Sequence, residues 1–176
     1  MKGVYILLFR ITCDFSRSVG SLGRVHFVKG NYAYVGSAQS SLFPRLERHY
    51  ARKKKRLHWH IDYLTTSKNI SIKGSVYSAS DTKEIECRLS AMLSTLRFSK
   101  PVPSFGSTDC KYGCKSHLYI LNAPWKHATS SIIEIYMKLG LLPLLYQTGR
   151  KRRELGLPVN AARREGSMFD VRSAIR

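Results

Sequence analysis

Two short tyrosine-containing segments and one pair of helix residues are the first candidates for chemistry. The tripeptides at 3–5 (GVY) and 34–36 (YVG) lie in runs rich in β-branched and aromatic residues, which predict strands. Arg45 and His49 are four residues apart in a segment with helical periodicity, so they share one helix face. A guanidinium can hold a phosphate through two parallel hydrogen bonds, and an imidazole or a phenol can move a proton. These residue types suit chemistry on phosphate esters.

This arrangement resembles the GIY-YIG nuclease superfamily over roughly residues 3–121, with Glu86 in a later predicted helix completing the set. The branch it is most similar to is mainly archaeal and is sometimes fused to base-excision DNA glycosylases. In the homing and restriction members the two tripeptides lie closer together, and we attribute the difference to an insertion over residues 14–28. The phrases that indicate the branch are YAYVGSA at 32–38, HWHIDYL at 58–64, Glu86-Cys87 and FGSTDC at 105–110.

The resemblance implies a metal-dependent endonuclease that cleaves DNA phosphodiester bonds, acting in repair on abasic or structured sites. Tyr5 would accept the proton of the attacking water, with Tyr34 beside it on the adjacent strand. Arg45 would hold the scissile phosphate, and His49 would assist proton transfer or hydrogen-bond a tyrosine. Glu86 would be the single protein ligand of Mg²⁺ or Mn²⁺. Because a free phenol has a pKa of about 10, we expect nearby charge to lower the pKa of Tyr5.

The charge of the chain indicates a polyanionic partner. Lys and Arg number 30 against 11 Asp and Glu in 176 residues, which gives a net charge of +19. Phosphate contacts from such a surface account for most non-specific nucleic-acid affinity. We therefore expect DNA as the partner, with RNA not excluded by charge alone. The predicted nucleic-acid contacts are Gly36, Arg48, Arg52, Lys53, Lys54, Lys55 and Arg56.

Three other functions remain open at this stage. The chain can be a non-catalytic nucleic-acid-binding module that presents its ligand to a partner enzyme, such as a base-excision glycosylase. It can be a nuclease directed at RNA. It can also cut abasic sites by β-elimination, which would need a lysine as the Schiff-base nucleophile; the sequence has many lysines and singles out none.

Two cysteines and a histidine lie close together near the end of the region of resemblance. Cys110, Cys114 and His117 fall within eight residues. A structural zinc site needs four ligands, so Asp109, Cys87 or a distant histidine would have to complete it. A Cys110–Cys114 disulfide and free buried thiols are the alternatives.

The predicted elements give an α/β (α+β) fold with a small, mainly antiparallel sheet flanked by helices. A hairpin is expected in which the strand at 24–28 pairs with the strand at 32–35 through a Gly-Asn turn. We expect a nuclease domain over residues 1–123 and a basic helical extension over 124–176. The remaining predicted strands are 3–12, 70–77 and 117–121, and the predicted helices are 42–55, 57–64, 82–96 (capped by Asp81) and 130–142.

The apolar runs of the sequence are short. None approaches the ~18 residues that a membrane span needs, and the N-terminal run lacks the pattern of a cleavable signal peptide. Four cysteines in 176 residues do not make a secreted disulfide scaffold. We therefore expect no membrane association and a cytoplasmic location.

Overall fold

The computed structural model describes residues 1–52 and 56–147 and the backbone of a short strand at 169–170. These residues form a mixed α+β fold, as the sequence predicts. The main sheet is antiparallel throughout. The strands are β1 (Gly3–Ile11), β2 (Phe15–Ser18), β3 (Arg24–Phe27), β4 (Gly30–Ala38), β5 (Ile70–Ala79), β6 (Ser99–Pro101), β7 (Leu118–Leu121), β8 (Leu144–Tyr146) and β9 (Phe169–Asp170), and the helices are α1 (Leu42–Tyr50), α2 (His60–Thr65), α3 (Glu84–Ser94) and α4 (Trp125–Lys138).

Strand β1 is the centre of the main sheet, whose order is β6-β7-β4-β1-β5-β8-β9. Eight of its nine residues are buried, because it is apolar on both faces and has a strand on each side. Its antiparallel register with β4 places Tyr5 opposite Gly36 and Leu7 opposite Tyr34. The two tyrosines therefore lie on the same face of the sheet, since alternate residues of a strand face opposite sides.

Helices cover both faces of the sheet. Tyr5, Leu7 and Phe9 pack in one cluster with the apolar residues of α1 and α2. Val4, Ile6 and Leu8 face the other way and pack with those of α3 and α4. The alternation of β1 thus produces two cores, one on each side of a single sheet. Among the described residues, no helix has the length and apolar character needed to cross a bilayer.

The predicted hairpin between residues 24–28 and 32–35 is wrong. Strand β3 pairs instead with β2 in a separate two-stranded ribbon, and β4 pairs with β1 and β7. The reason is burial: β3 has a single buried residue, whereas β4 carries a continuous buried run that needs neighbours on both sides. The ribbon lies in the region assigned to an insertion, residues 14–28.

The helix bounds differ in detail from those predicted. Helix α1 ends at Tyr50 rather than at residue 55, and residues 53–55 lie outside the described part of the chain. Helix α3 begins at Glu84 with Lys83 as its N-cap, so the predicted Asp81 cap is wrong. Helix α4 begins directly after Pro124, five residues earlier than predicted, since proline is well tolerated at the start of a helix.

The first part of the predicted C-terminal extension, α4 and β8, packs against the main domain. The hydroxyl of Tyr136 in α4 donates a hydrogen bond of 2.9 Å to the carbonyl of Val76 in β5, and β8 pairs with β5. The predicted boundary after residue 123 falls between β7 and α4 and stays a prediction. Of the tail beyond residue 147, only the backbone pairing of β9 with β8 is described.

Candidate active site

One cavity of about 330 Å³ gathers most of the predicted catalytic residues. Its walls come from β1, β4, α1, the start of α3 and the loop between β6 and β7. Four of the five predicted catalytic side chains line it, and the fifth, His49, is fully buried in contact with Tyr5. The four lining residues are Tyr5, Tyr34, Arg45 and Glu86.

Tyr5 and His49 form the best-defined contact of the site. The phenolic oxygen of Tyr5 lies 2.7 Å from Nε2 of His49, and both side chains are buried. Gly36 makes this position possible, because a Cβ at residue 36 would lie 2.5 Å from that oxygen. The glycine opposite Tyr5 is thus required by the close approach of the ring to β4. Proton transfer between Tyr5 and His49 needs no movement of either side chain.

The pKa of Tyr5 is raised, whereas from the sequence we expect it to be lowered. Burial raises the pKa of Tyr5 well above its usual 10, and Tyr34 raises it further. The Arg45 guanidinium lowers the pKa of Tyr5, but by less than burial raises it. Burial likewise raises the pKa of Tyr34, with a smaller contribution from Glu86. Both phenols therefore keep their protons at neutral pH, and the expected lowering by nearby charge is wrong.

Arg45 is held at the cavity wall by an aromatic ring. The central carbon of its guanidinium lies 3.4 Å from the ring centroid of Trp59, in the range of a cation–π contact. Trp59 itself lines the cavity immediately before α2. The stacking fixes the plane of the guanidinium while its N–H groups stay available for hydrogen bonds. An Arg so placed suits a phosphate better than a mobile surface residue would.

Glu86 lies in the first turn of α3 and is 9% exposed. Its Oε2 accepts a hydrogen bond from the hydroxyl of Ser37, and its Oε1 lies 3.0 Å from Nδ1 of His117. Burial by itself would lower the pKa of His117, but the Glu86 carboxylate outweighs it and the pKa is raised. Asp109 brings a second carboxylate to the cavity wall. These oxygens are of the type that Mg²⁺ prefers.

A group of three thiols and one imidazole adjoins Glu86; we refer to Cys87, Cys110, Cys114 and His117 as the thiol cluster. Their ligand atoms all lie within 4.8 Å of one another, so the cluster could bind a metal ion. All four cysteines of the chain are free, so the alternative Cys110–Cys114 disulfide is not formed. Burial opposes ionisation of Cys110, but hydrogen bonds from the backbone of Cys114 and Tyr112 and from the Cys87 thiol lower its pKa to about 7.

A family model matches most of the chain. The family is described as a domain of unknown function, DUF123, and the match covers residues 4–140. The chain belongs to this family. DUF123 includes GIY-YIG-like proteins, in keeping with the resemblance of the tyrosine tripeptides. No curated protein and no solved structure matches the chain. The matched DUF123 region runs from β1 through α4 and contains every residue of the cavity wall and of the thiol cluster.

Several residues of the DUF123 cavity were not singled out from the sequence. Ser37 directly follows the second tripeptide, and its position beside Gly36 is the sequence feature that could have indicated its role. Lys83, Lys111 and Tyr112 lie at the start of α3 and in the β6–β7 loop. Nothing in their local sequence separates these three from the many other basic and aromatic residues of the chain.

The predicted nucleic-acid contacts of the DUF123 domain divide into distinct groups. Arg48 pairs with buried Asp62 at 2.9 Å and also hydrogen-bonds the carbonyl of Arg56. Arg52 donates a hydrogen bond of 2.6 Å to the carbonyl of Ile70, so both guanidiniums already have partners within the protein. Arg56 is exposed, and Gly36 lines the cavity. Lys53, Lys54 and Lys55 lie outside the described residues, and their role stays a prediction.

Proposed function

We propose that this DUF123 domain is a metal-dependent endonuclease that hydrolyses DNA phosphodiester bonds. One arrangement supports the proposal above all: two phenols, a stacked guanidinium and a carboxylate line a single cavity, with an imidazole 2.7 Å behind one phenol. The net charge of +19 supports a polyanionic substrate. Each group has a distinct role in breaking a phosphodiester bond.

The proton path begins at Tyr5. Its hydroxyl can give its proton to Nε2 of His49 at 2.7 Å, and the phenolate left behind can take a proton from the attacking water. Because burial raises the pKa of Tyr5, that phenolate is scarce but strongly basic. Tyr34 keeps its proton and can donate a hydrogen bond to a phosphate oxygen. Arg45, held against Trp59, stabilises the negative charge that develops on the phosphorus oxygens.

Glu86 and Asp109 are the residues that would hold Mg²⁺ or Mn²⁺. Their oxygens line the cavity, and this oxygen donor set fits a hard cation that keeps several of its own waters. When bound, such an ion would neutralise charge on the phosphate and would assist the leaving oxygen. Ser37 fixes Glu86 through the hydrogen bond to Oε2, so the carboxylate keeps its orientation without the substrate.

The substrate we propose is DNA that is damaged or not fully paired, such as an abasic site. One aromatic residue of the cavity supports this choice. Tyr112 lines the cavity with 59% of its surface exposed. Aromatic side chains of this kind stack on unpaired bases whatever their sequence. A continuous duplex offers no such free base face.

The experiment is a cleavage assay with Mg²⁺ on intact, abasic, nicked and branched duplexes and on single-stranded RNA. We expect cleavage of one or more DNA substrates, lost at least ~100-fold in Glu86→Gln, Tyr5→Phe and Arg45→Ala. Matched controls are Glu134→Gln, exposed on α4, and Arg97→Ala, exposed after α3. Tyr32→Phe is the third control, because Tyr32 bonds the Val28 carbonyl and does not line the cavity.

The same assay identifies the rival functions. Cleavage that survives Glu86→Gln or excess chelator would contradict hydrolysis with a metal and favour β-elimination, which borohydride trapping detects as a covalent adduct. Lys83 and Lys111 would then be the first lysines to replace, because they line the cavity. Cleavage of RNA alone would favour the RNA-directed nuclease. Tight binding with no cleavage of any substrate would favour the non-catalytic binding module.

A further inference from the structure

The thiol cluster is gathered from two parts of the fold. Cys87 lies on α3, whereas Cys110, Cys114 and His117 lie in the loop between β6 and β7. The Sγ atoms of Cys87 and Cys110 are 3.4 Å apart. A tetrahedral zinc site with Zn–S bonds of about 2.3 Å separates its ligand atoms by about 3.8 Å. The cluster therefore has the ligand types and the number of ligands that zinc requires, at a spacing close to that of a tetrahedral site.

Both ring nitrogens of His117 are buried and have no hydrogen-bond partner of good geometry among the described residues. Its Nδ1 lies 3.0 Å from Oε1 of Glu86, which is an ion-pair distance. An imidazole that binds a metal through Nε2 carries its proton on Nδ1, and a carboxylate commonly accepts a hydrogen bond from that N–H. The Glu86–His117 pair has the two partners of such an arrangement, and a small rotation of the imidazole would complete the hydrogen bond.

The loop that carries three of the ligands contains no helix or strand, and backbone hydrogen bonds such as that from Ser104 N–H to the Lys115 carbonyl hold its base. Residues 102–117 form turns and irregular backbone, anchored inside the protein by Phe105 and His117. The segment 109–112, which lines the cavity, lies between these anchors. Gly113 turns the chain at φ +70° between the two loop cysteines. A metal held by Cys87 and the loop cysteines would fix this segment to α3.

We propose that the thiol cluster binds one zinc ion through its three thiolates and Nε2 of His117, and that the Nδ1–H of His117 thereby holds Glu86 in place. The zinc site rests on the cluster alone, whereas the importance of holding Glu86 rests on the proposed nuclease function. His117 is then a zinc ligand and a positioning residue for the carboxylate. The same ion fixes the β6–β7 loop against α3 and so joins two walls of the cavity.

The first test measures metal in the full chain purified under reducing conditions. We expect one zinc per chain, released when a mercurial modifies the thiols, and a tetrahedral thiolate spectrum when Co²⁺ replaces it. Cys87→Ser and Cys114→Ser should lower zinc affinity at least ~100-fold, whereas Cys13→Ser, an exposed cysteine outside the cluster, should not. If a cysteine variant fails to fold, the Co²⁺ titration of the parent still tests the zinc site.

Two results would overturn the zinc site. One is a parent chain that binds no zinc, or whose first equivalent of Co²⁺ gives only an octahedral spectrum without thiolate bands, since oxygen ligands such as Glu86 and Asp109 would produce that spectrum. The other is a Cys87–Cys110 disulfide that persists in reductant, which thiol titration after denaturation would detect as two missing thiols.

The second test measures the coupling without any cleavage assay. Glu86→Gln should lower zinc affinity about 10–100-fold, the usual effect of losing the partner of a metal-binding histidine. Glu84→Gln is the matched control, because Glu84 is exposed in the same turn of α3. Equal zinc affinity in Glu86→Gln and the parent would contradict the coupling and leave the zinc site standing. A parent that binds zinc but cleaves no substrate would contradict the proposed function alone.

Discussion

The cavity has two walls that are built in different ways. The first, which we call the tyrosine wall, consists of β1, β4 and α1 and carries Tyr5, Tyr34 and Arg45. The second, the thiol wall, consists of the start of α3 and the β6–β7 loop and carries Glu86 and the thiol cluster. Backbone register between β1 and β4 fixes Tyr5 and Tyr34 of the tyrosine wall. The two segments of the thiol wall are joined by side-chain contacts, while backbone hydrogen bonds hold the β6–β7 loop at its base.

The difference in construction matches a difference in chemistry. On the tyrosine wall, burial raises the pKa of both phenols and so favours neutral groups that exchange protons at short range. On the thiol wall, the carboxylate of Glu86 faces an imidazole, and Cys110 has a pKa lowered to about 7, although burial raises the pKa of Cys87 and Cys114. Proton transfer needs the fixed geometry that a sheet provides, whereas metal binding needs charged ligands that can come from distant parts of the chain.

The largest expected effect comes from a change to the backbone of the tyrosine wall. In Gly36→Ala the new Cβ would lie 2.5 Å from the Tyr5 oxygen, so the ring must move and lose His49. We expect a folded protein with cleavage lowered at least ~100-fold. Gly30→Ala on the same strand is the control, because its Cβ would meet Ile120 at an ordinary 3.5 Å. Equal cleavage by both variants would contradict the fixed role of the Tyr5–His49 contact.

The pH dependence of cleavage tests whether His49 accepts the proton of Tyr5. Because burial raises the pKa of Tyr5, it is protonated at pH 7–9, and transfer to His49 within the protein leaves the total proton count unchanged. We expect the parent rate to be flat between about pH 7.5 and 9, and the His49→Gln rate to rise about tenfold per pH unit as solvent takes the proton.

The control for this profile is His127→Gln, which replaces an exposed histidine of α4 that is not among the lining residues. It should keep the flat profile of the parent. The same slope in the parent and in His49→Gln would mean that His49 is not the proton acceptor.

Removal of zinc tests how the thiol wall is held. Lys111 and Lys115 are exposed in the β6–β7 loop, so we expect chelation to speed tryptic cleavage after them on the order of tenfold, as local opening becomes easier. Cleavage after Lys126 in α4 is the internal control, and far-UV circular dichroism should stay unchanged because backbone hydrogen bonds hold the sheet. Equal acceleration at all three lysines would indicate global unfolding and contradict a local role for zinc.

The smallest expected effect concerns DNA binding by residues outside both walls of the cavity. If Lys53, Lys54 and Lys55 contact phosphates, replacing all three with alanine should flatten the plot of log affinity against log salt by about two to three units. A twofold rise in salt would then cost about sixfold less affinity than in the parent. Replacing the exposed Lys126 and Lys138 of α4 provides the comparison. An unchanged slope in the triple variant would show that this run does not contact DNA.

The sequence by itself determined the tyrosine wall. The apolar pattern of β1 and β4 requires two buried strands, and helical spacing places Arg45 and His49 on one face of α1, so local rules predict these elements and the fold class, which agrees with the structure. The grouping of these residues with Glu86 came from the resemblance to the GIY-YIG superfamily, and four of the five side chains line one cavity. Local rules failed for β3, whose partner depends on which other strands compete for the buried β4.

Only the tertiary structure decided the thiol wall and the electrostatics. Cys110, Cys114 and His117 are close in sequence, but the fourth ligand, Cys87, is one of several candidates until α3 packs beside the β6–β7 loop. The pKa of Tyr5 is raised because the side chain is buried, and no local sequence pattern indicates that burial. Both outcomes depend on which segments fill the space around a residue, and that is a property of the whole packed chain.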